Sequence, residues 1–249
     1  MEPEYNIAAM VILAIETVTK RGSLALLIDD ACHARADEVT RTHGERLPGE
    51  ALALLAEHGR HLRDVDLFAV VAGPGSFTGL RVGMAVVQGF ALAGARRVAA
   101  VPTLEAMAEG WRLGVQGLGT DVVVVSCLDG QRGDLFFAAW ALHVTEPIER
   151  ATRLIEPSVG TPRDVVRRVG ALRHDRTVVM VGTGLARHAA ALAPLDMPVQ
   201  EVPTTLAESA ARIARRRPEL AAAPHALRPL YIRRPDAELA RERAGLPPP

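Results

Sequence analysis

The residues best suited to chemistry stand in one run, Ala72-Gly73-Pro74-Gly75-Ser76-Phe77-Thr78-Gly79-Leu80-Arg81-Val82-Gly83. An apolar stretch from Asp66 to Val71 precedes it and reads as a buried strand. A segment from Thr78 to Gly94, apolar at helical spacing, follows it. A glycine-rich strand-to-helix turn gathers backbone N–H groups at the positive end of a helix dipole, an arrangement that binds anions. Gly73 and Gly75 permit close approach of a phosphate, and Ser76 and Thr78 are the candidate N-caps. The run lacks the Gly-Lys-Ser/Thr ending of a Walker loop and the G-x-G-x-x-G spacing of a dinucleotide fold. Ser76 has no evident histidine or lysine partner, so a peptidase nucleophile is a poor reading.

Two carboxylates end apolar strands: Glu16 after Val11–Ile15, and Asp129 after Val122–Leu128, the latter flanked by Arg132 and Asp134. Acids so placed can orient a nucleotide-bound metal, although a tight Asp-Gly turn uses the same residues for local reasons. Histidines offer little for a metal. His43 stands alone with Glu45 two residues on, and both read as partners at the start of a helix over 46–58. His58 and His61 flank Gly59 at that helix's end and read as solvated. No catalytic residue and no metal ligand set is expected.

The elements that must carry these groups follow from periodicity. Strands are predicted at 11–17, 23–28 and 32–40, forming three consecutive antiparallel strands, and then at 66–72 and 98–101. Helices are predicted at 46–58, 78–94 and 103–112. Gly114 to Thr120 reads as a linker. Strands at 122–128 and 135–142 around Gly130-Gln131-Arg132-Gly133 repeat the opening hairpin. A helix at 162–169, a strand at 177–181, helices at 185–193 and 206–217, and a short element at 229–233 complete the chain. A strand ending in an acid followed by a hairpin thus occurs twice. A duplicated β-hairpin plus α/β core is how the two-lobed actin/hexokinase/Hsp70-like (ASKHA) fold is built. The expected lobes are 10–104, with 206–233 packing back on the first, and 105–205. Residues 1–9 are expected to be a loose extension and 234–249 a frayed tail.

Bulk properties agree with a folded domain of this size. The chain has 249 residues, 49% of them apolar, and 29 basic groups balance 29 acidic ones. Lys20 is the lone lysine. Zero net charge argues against a nucleic-acid surface spread over the whole chain. Arg215-Arg216-Arg217 precede Pro218 and read as cations at a helix end. Cys32 and Cys127 match no metal or redox spacing and read as small buried hydrophobes in strands. No run is long enough for a membrane span and no secretory signal stands out, so a cytoplasmic location is expected.

Several segments together resemble the TsaB (YeaZ) family in order and spacing. They are Val11–Thr17, His43-Gly44-Glu45-Arg46-Leu47-Pro48, Gly73–Gly83, Pro102-Thr103-Leu104, Asp129–Phe136 and Pro229–Arg233. The resemblance implies an ASKHA fold and a non-catalytic role in making N6-threonylcarbamoyladenosine at position 37 of bacterial tRNAs that read ANN codons. It implies TsaD, the paralogue that transfers the threonylcarbamoyl group, as partner. It further implies the ATPase TsaE, tRNA through the complex, and a possible homodimer. No cofactor of its own is expected, ATP acting at the level of the complex. The His-x-x-x-His pair that holds metal in TsaD has no counterpart around His43. Glu16 stands where superfamily ATPases carry aspartate, and its extra methylene works against a tight metal geometry. A residual nucleotide site would use Gly73, Gly75, Ser76, Thr78 and Asp129.

The helix over 78–94 carries Gly79, Gly83, Gly89 and Gly94, each costing about 1 kcal/mol against alanine. Gly79/Gly83 and Ala85/Gly89 form small-residue stripes, and Leu80, Met84, Val87 and Ala91 an apolar one. Burial within the chain and burial against a partner both account for such a helix. The resemblance favours the partner, which makes Gly79, Leu80, Gly83, Met84, Val87 and Gly89, with the helix at 46–58, the expected TsaD-docking face. Two rival readings are a stand-alone ASKHA-type ATPase or small-molecule kinase using Glu16, Asp129 and the glycine turn, and a tRNA-binding module. The second suffers from scattered basic residues and few aromatics for stacking.

Overall fold

The computed structural model describes residues 10–36, 43–115, 121–172 and 176–232. The extension 1–9, the tail 234–249 and most of the expected linker lie outside the described residues. The side chains of His43 and Glu45 do too, so their expected capping role does not come into view.

The chain opens with β1 (Val11–Glu16), β2 (Ser23–Ile28) and β3 (Ala31–Arg35). Then come α1 (His43–Glu57), β4 (Leu67–Gly73), α2 (Phe77–Ala93), β5 (Arg97–Pro102) and α3 (Thr103–Gly114). The second half repeats the order: β6 (Asp121–Asp129), β7 (Leu135–His143), β8 (Thr152–Gly160), α4 (Pro162–Gly170) and β9 (Thr177–Val181). It continues with α5 (Gly184–Arg187), α6 (Ala189–Leu192) and β10 (Val199–Gln200) before α7 (Leu206–Arg216) and β11 (Ala221–Ala222). Among the described residues the sheets run β11-β5-β4-β1-β2-β3 and β10-β9-β6-β7-β8. Setting β11 aside, the second order is the first repeated. In each, a three-stranded antiparallel meander is extended by parallel strands beside its first member. This is the duplicated, two-lobed ASKHA architecture.

Packing explains why the central strands read as unbroken apolar runs rather than alternating ones. Both faces of each sheet are covered. Leu13, Ile15, Phe68 and Val70 meet Leu47, Leu54, Met84 and Val87 of α1 and α2 on one side of the first sheet. Ile12, Ala14, Ala69 and Val71 point the other way, into a core shared with Met107 and Trp111 of α3 and Ala210 and Ile213 of α7. Val122, Val124 and Trp140 of the second sheet close that core. Val123, Val125 and Phe137 then bury the far face under α4, α5 and α6. Helices α3 and α7 are therefore sandwiched between the sheets. α7 turns Ala207, Ala210, Ala211 and Ala214 inward, all fully buried, and these small side chains let it lie against β1, β2 and β4.

Four expectations need correction. Strand β8 is absent from the sequence-based expectations: its edge position leaves it half exposed, and Pro157 with flanking charges masks its alternation. The helix expected over 185–193 breaks at His188 into α5 and α6. Residues 229–232 join no ladder, although Leu230 N–H donates to Ala72 O at 2.8 Å. Cys127 is fully buried, but Cys32 on the edge strand β3 is only partly so.

Candidate functional site

The carboxyl ends of β1, β4 and β5 lie together, as the parallel register of Ala14 with Ala69 and of Gly73 with Pro102 requires. The glycine turn sits there. Ser76 caps α2, its Oγ accepting from Gly79 N at 3.2 Å, while Thr78 lies inside the first turn and is exposed. The glycines admit the chain's own backbone. Gly73 adopts φ 118°, and a methyl there would come within 2.7 Å of the Leu230 carbonyl oxygen. A methyl on Gly75 would come within 2.6 Å of Val18 Cβ, and Ser76 N–H donates to Val18 O at 3.3 Å. The cradle is lined by Val18 and Leu230, which accounts for the glycines without a ligand.

Glu16, at the end of β1, is buried. Its Oε1 accepts from Thr19 N at 2.6 Å, and its Oε2 from Thr19 Oγ1 at 3.1 Å and Ser23 Oγ at 3.0 Å. Ser23 Oγ in turn accepts from Ala207 N in the first turn of α7. The carboxylate thus fastens the β1–β2 turn and couples it to α7. The extra methylene that works against a metal-binding aspartate role lets Glu16 span this turn.

Asp129 occupies the matching place at the end of β6. Its Oδ1 accepts from Gln131 N at 3.0 Å, and Arg187 Nη1 donates to Oδ2 at 2.8 Å, with His188 Nε2 3.7 Å from Oδ1. Partial burial works to raise its carboxyl; the Arg187 hydrogen bond, the Gln131 N–H and the nearby cations outweigh it and hold the group below the usual carboxylate range. Gly182 and Gly184 press close here, a methyl on Gly184 coming within 2.8 Å of Asp129 N. Asp129 keeps partial exposure, and it is the one strand-end acid of the pair still open to solvent.

The structure divides α2 into two faces. Gly79, Leu80, Gly83, Met84 and Val87 are buried within the chain. Gly79 and Gly83 abut Thr17, Leu80 joins the core between the sheets, and Met84 and Val87 pack on the first sheet. As surface contacts for a partner these five are corrected: their side of the helix is already occupied. Gly89 alone of the six is exposed, and a methyl added there would meet nothing within 4 Å. The free face of α2 carries Arg81, Ala85, Gly89 and Leu92, the last 66% exposed, and α1 beside it exposes Ala53, Ala56 and Leu52, 45% exposed.

One polar cluster has no counterpart in the sequence reading. Glu109 of α3 is fully buried and accepts two hydrogen bonds from Arg112, each 2.7 Å, and one from Arg216 Nη2 at 2.6 Å. Arg216 also bridges Glu149 at 3.1 Å, and Arg217 bridges Glu105 at 2.6 Å and Glu219 at 2.9 Å. The arginines read as cations at a helix end therefore tie α7 to α3 and to the β7–β8 connection. They border an open cleft of about 490 Å³ floored by Trp140 and Ile148. For Glu109, burial works upward, and the guanidinium hydrogen bonds and charges prevail, lowering the carboxyl. For Glu105 burial prevails over Arg217 and the carboxyl is raised. Only the run of arginines is visible in sequence. Glu109 precedes Arg216 by 107 positions and Glu105 precedes Arg217 by 112, and both glutamates read as part of helix α3 and nothing more.

The family model for "TsaD: tRNA N6-adenosine threonylcarbamoyltransferase" matches residues 36–167, just over half of the chain. An uncharacterized protein of Mycobacterium leprae is 31% identical over 92% of this chain and 56% of its own length. The tRNA threonylcarbamoyladenosine biosynthesis protein TsaB of Escherichia coli is 34% identical over 53% of this chain and 55% of its own length. The chain thus spans about half the length of these two relatives. The solved structure of YeaZ from Pseudomonas aeruginosa superposes with a TM-score of 0.72 at 27% identity, covering 89% of this chain and 99% of that one. On the family model, the relatives and this structural likeness, the chain belongs to the TsaB/YeaZ family, within the TsaD-type domain group.

Proposed function

We propose that the chain is a non-catalytic subunit in the formation of N6-threonylcarbamoyladenosine on tRNA, supporting a TsaD-type catalytic paralogue in the cytoplasm. The observation that carries this reading is the internal use of the ancestral nucleotide machinery. Glu16 serves its own hairpin, and Val18 and Leu230 line the glycine turn. What the molecule offers outward is the apolar, small-residue face of α1 and α2, with Leu52, Ala53, Ala85, Gly89 and Leu92. Small residues let a second helix pair come close, and Leu52 and Leu92 gain burial when it does. The same face can pair two copies when the partner is absent. TsaE and ATP enter at the level of the complex.

The test is co-purification with the TsaD-type protein of the same organism, followed by reconstitution of the tRNA modification. Gly89→Arg and Ala85→Arg fold, lose the partner and lose modification. Undiminished capture by the folded variants overturns the reading. A second reading, a stand-alone ATPase, rests on the partly open Asp129. It predicts metal-dependent ATP turnover by the purified chain that is lost in Asp129→Ala.

A further inference from the structure

Two of the large apolar side chains exposed among the described residues meet beside the glycine turn, and a third, Leu230, adjoins one of them in sequence. Phe77 is 41% exposed, Tyr231 40% and Leu230 39%. The two rings stack, centroids 5.6 Å apart and planes 25° from parallel. Arg81, one helical turn past Phe77, holds its guanidinium carbon 4.0 Å from the centre of the Phe77 ring. Exposed aromatics are costly to leave in water, and here three groups in a row present π surface and positive charge rather than an apolar pocket.

Among the described residues, the two segments that carry the stack hold no acid. Helix α2 contains no acidic residue, and neither does the segment 221–232 that carries Tyr231 across to it. Arg228 lies on that segment and directs its guanidinium to the carbonyls of His225 and Leu227. Among the described residues no carboxylate pairs with Arg81 or Arg228. Many arginines of this molecule are matched to acids, as in the Glu109 cluster and at Asp30, Glu57 and Glu208, and Arg81 instead lies over an exposed ring. A protein partner with an apolar surface would be met better by the small-residue stretch of α1 and α2 around Leu52, Ala85, Gly89 and Leu92. An exposed ring pair with the Arg81 guanidinium over it, and Arg228 three residues before Tyr231, suits a ligand that brings both flat π faces and phosphates.

We propose that Phe77, Tyr231 and Arg81 form a stacking platform for unpaired bases of RNA, with Arg81 and Arg228 meeting the backbone phosphates. This deepens the proposed role in tRNA modification and rests on it only for the biological identity of the RNA. The platform binds without base-specific hydrogen bonds, so it tolerates sequence and discriminates against duplex, whose bases are already stacked.

The experiment is fluorescence anisotropy of the full chain with a labelled 12-nucleotide riboadenosine oligomer, its abasic counterpart, and a 12-base-pair RNA duplex. The oligomer binds best, and Tyr231→Ala weakens it about tenfold while Tyr231→Phe, which keeps the ring, does not. Arg81→Gln lowers affinity and flattens the salt dependence by about one phosphate contact. Thermal melting establishes that each variant is folded. Equal binding of the base-bearing and abasic oligomers, or unchanged affinity in folded Tyr231→Ala, overturns the platform. So does loss of capture of the TsaD-type partner by Tyr231→Ala with oligomer binding intact, which reassigns the patch to a protein. Because these readings need no partner and no modification activity, their failure leaves the scaffold role standing, and failed reconstitution leaves the platform standing.

Discussion

Thr17 seats its side chain in the notch between Gly79 and Gly83. Its Oγ1 donates to Gly79 O at 2.7 Å, and a methyl on Gly79 would collide with the Thr17 carbonyl oxygen, one on Gly83 with the Thr17 hydroxyl. The glycines four apart, which as a pattern suggest a helix–helix contact, serve the junction of β1 with α2 inside one chain.

Gly83→Ala and Gly89→Ala therefore have opposite signs. At Gly83 the added methyl overpacks against Thr17, and after allowance for alanine's better helix propensity the net loss is about 1–2 kcal/mol. At Gly89 the methyl meets nothing within 4 Å, and the variant gains up to about 1 kcal/mol. Urea denaturation of the pair measures both.

The same division separates folding from docking. Val87→Asp places a charge in a fully buried site and unfolds the protein at a cost of about 4 kcal/mol or more. On the proposed docking role, Gly89→Arg is expected to melt like the parent and to fail only in capture of the TsaD-type partner. Circular dichroism and pull-down together distinguish them.

Glu109 and Glu105 impose opposite pH dependences on stability. The Glu109 carboxyl is lowered, so its contribution is present above the unfolded value near 4.5 and is lost as pH falls through its folded value. The Glu105 carboxyl is raised, so its contribution is present below 4.5 and is lost as pH rises through its folded value. At pH 7 Glu109→Gln costs about 3 kcal/mol, because the largely buried Arg112 guanidinium loses its hydrogen-bonded counter-charge, while the partly exposed Arg216 keeps Glu149. Glu105→Gln costs much less, since Arg217 retains Glu219. Denaturation midpoints between pH 4 and pH 8 show the difference between the two variants widening as pH rises.

Both thiols are inert in the folded state. Burial pushes Cys127 up to about 12, and burial with the Glu208 charge, against Arg212, pushes Cys32 up to about 12 as well. At pH 8 a thiol at that value is about one part in ten thousand thiolate. Reaction with a colorimetric disulfide reagent is expected to be negligible in buffer and to reach 2 equivalents in denaturant.

The central strands are legible in sequence as short unbroken apolar runs rich in β-branched residues, which burial on both faces requires, as in Val11–Ile15 and Val122–Leu128. The edge strand β8 is not, since a half-exposed strand carrying Pro157 loses its alternation. The glycine turn stands out as a motif, yet its contents are hidden. Nothing near residue 73 indicates that Leu230 will fill it. The Glu109 cluster escapes for the same reason: Arg112 is three residues on, but Arg216 reaches Glu109 from α7, 107 positions away.

The repeated order of strands and helices, the two strand-end acids and the glycine-rich turn between β4 and α2 are all written in local sequence. Local periodicity and local conformational freedom are properties of adjacent residues, so they survive in one dimension. What each feature serves depends on packing in three dimensions. That packing turned Gly79 and Gly83 inward against Thr17, gave Glu16 to its own hairpin, matched Arg216 to Glu109, and brought Tyr231 across to Phe77. Those outcomes depend mostly on contacts between residues tens to more than a hundred positions apart, which the packing of two sheets around α3 and α7 creates and no local pattern encodes.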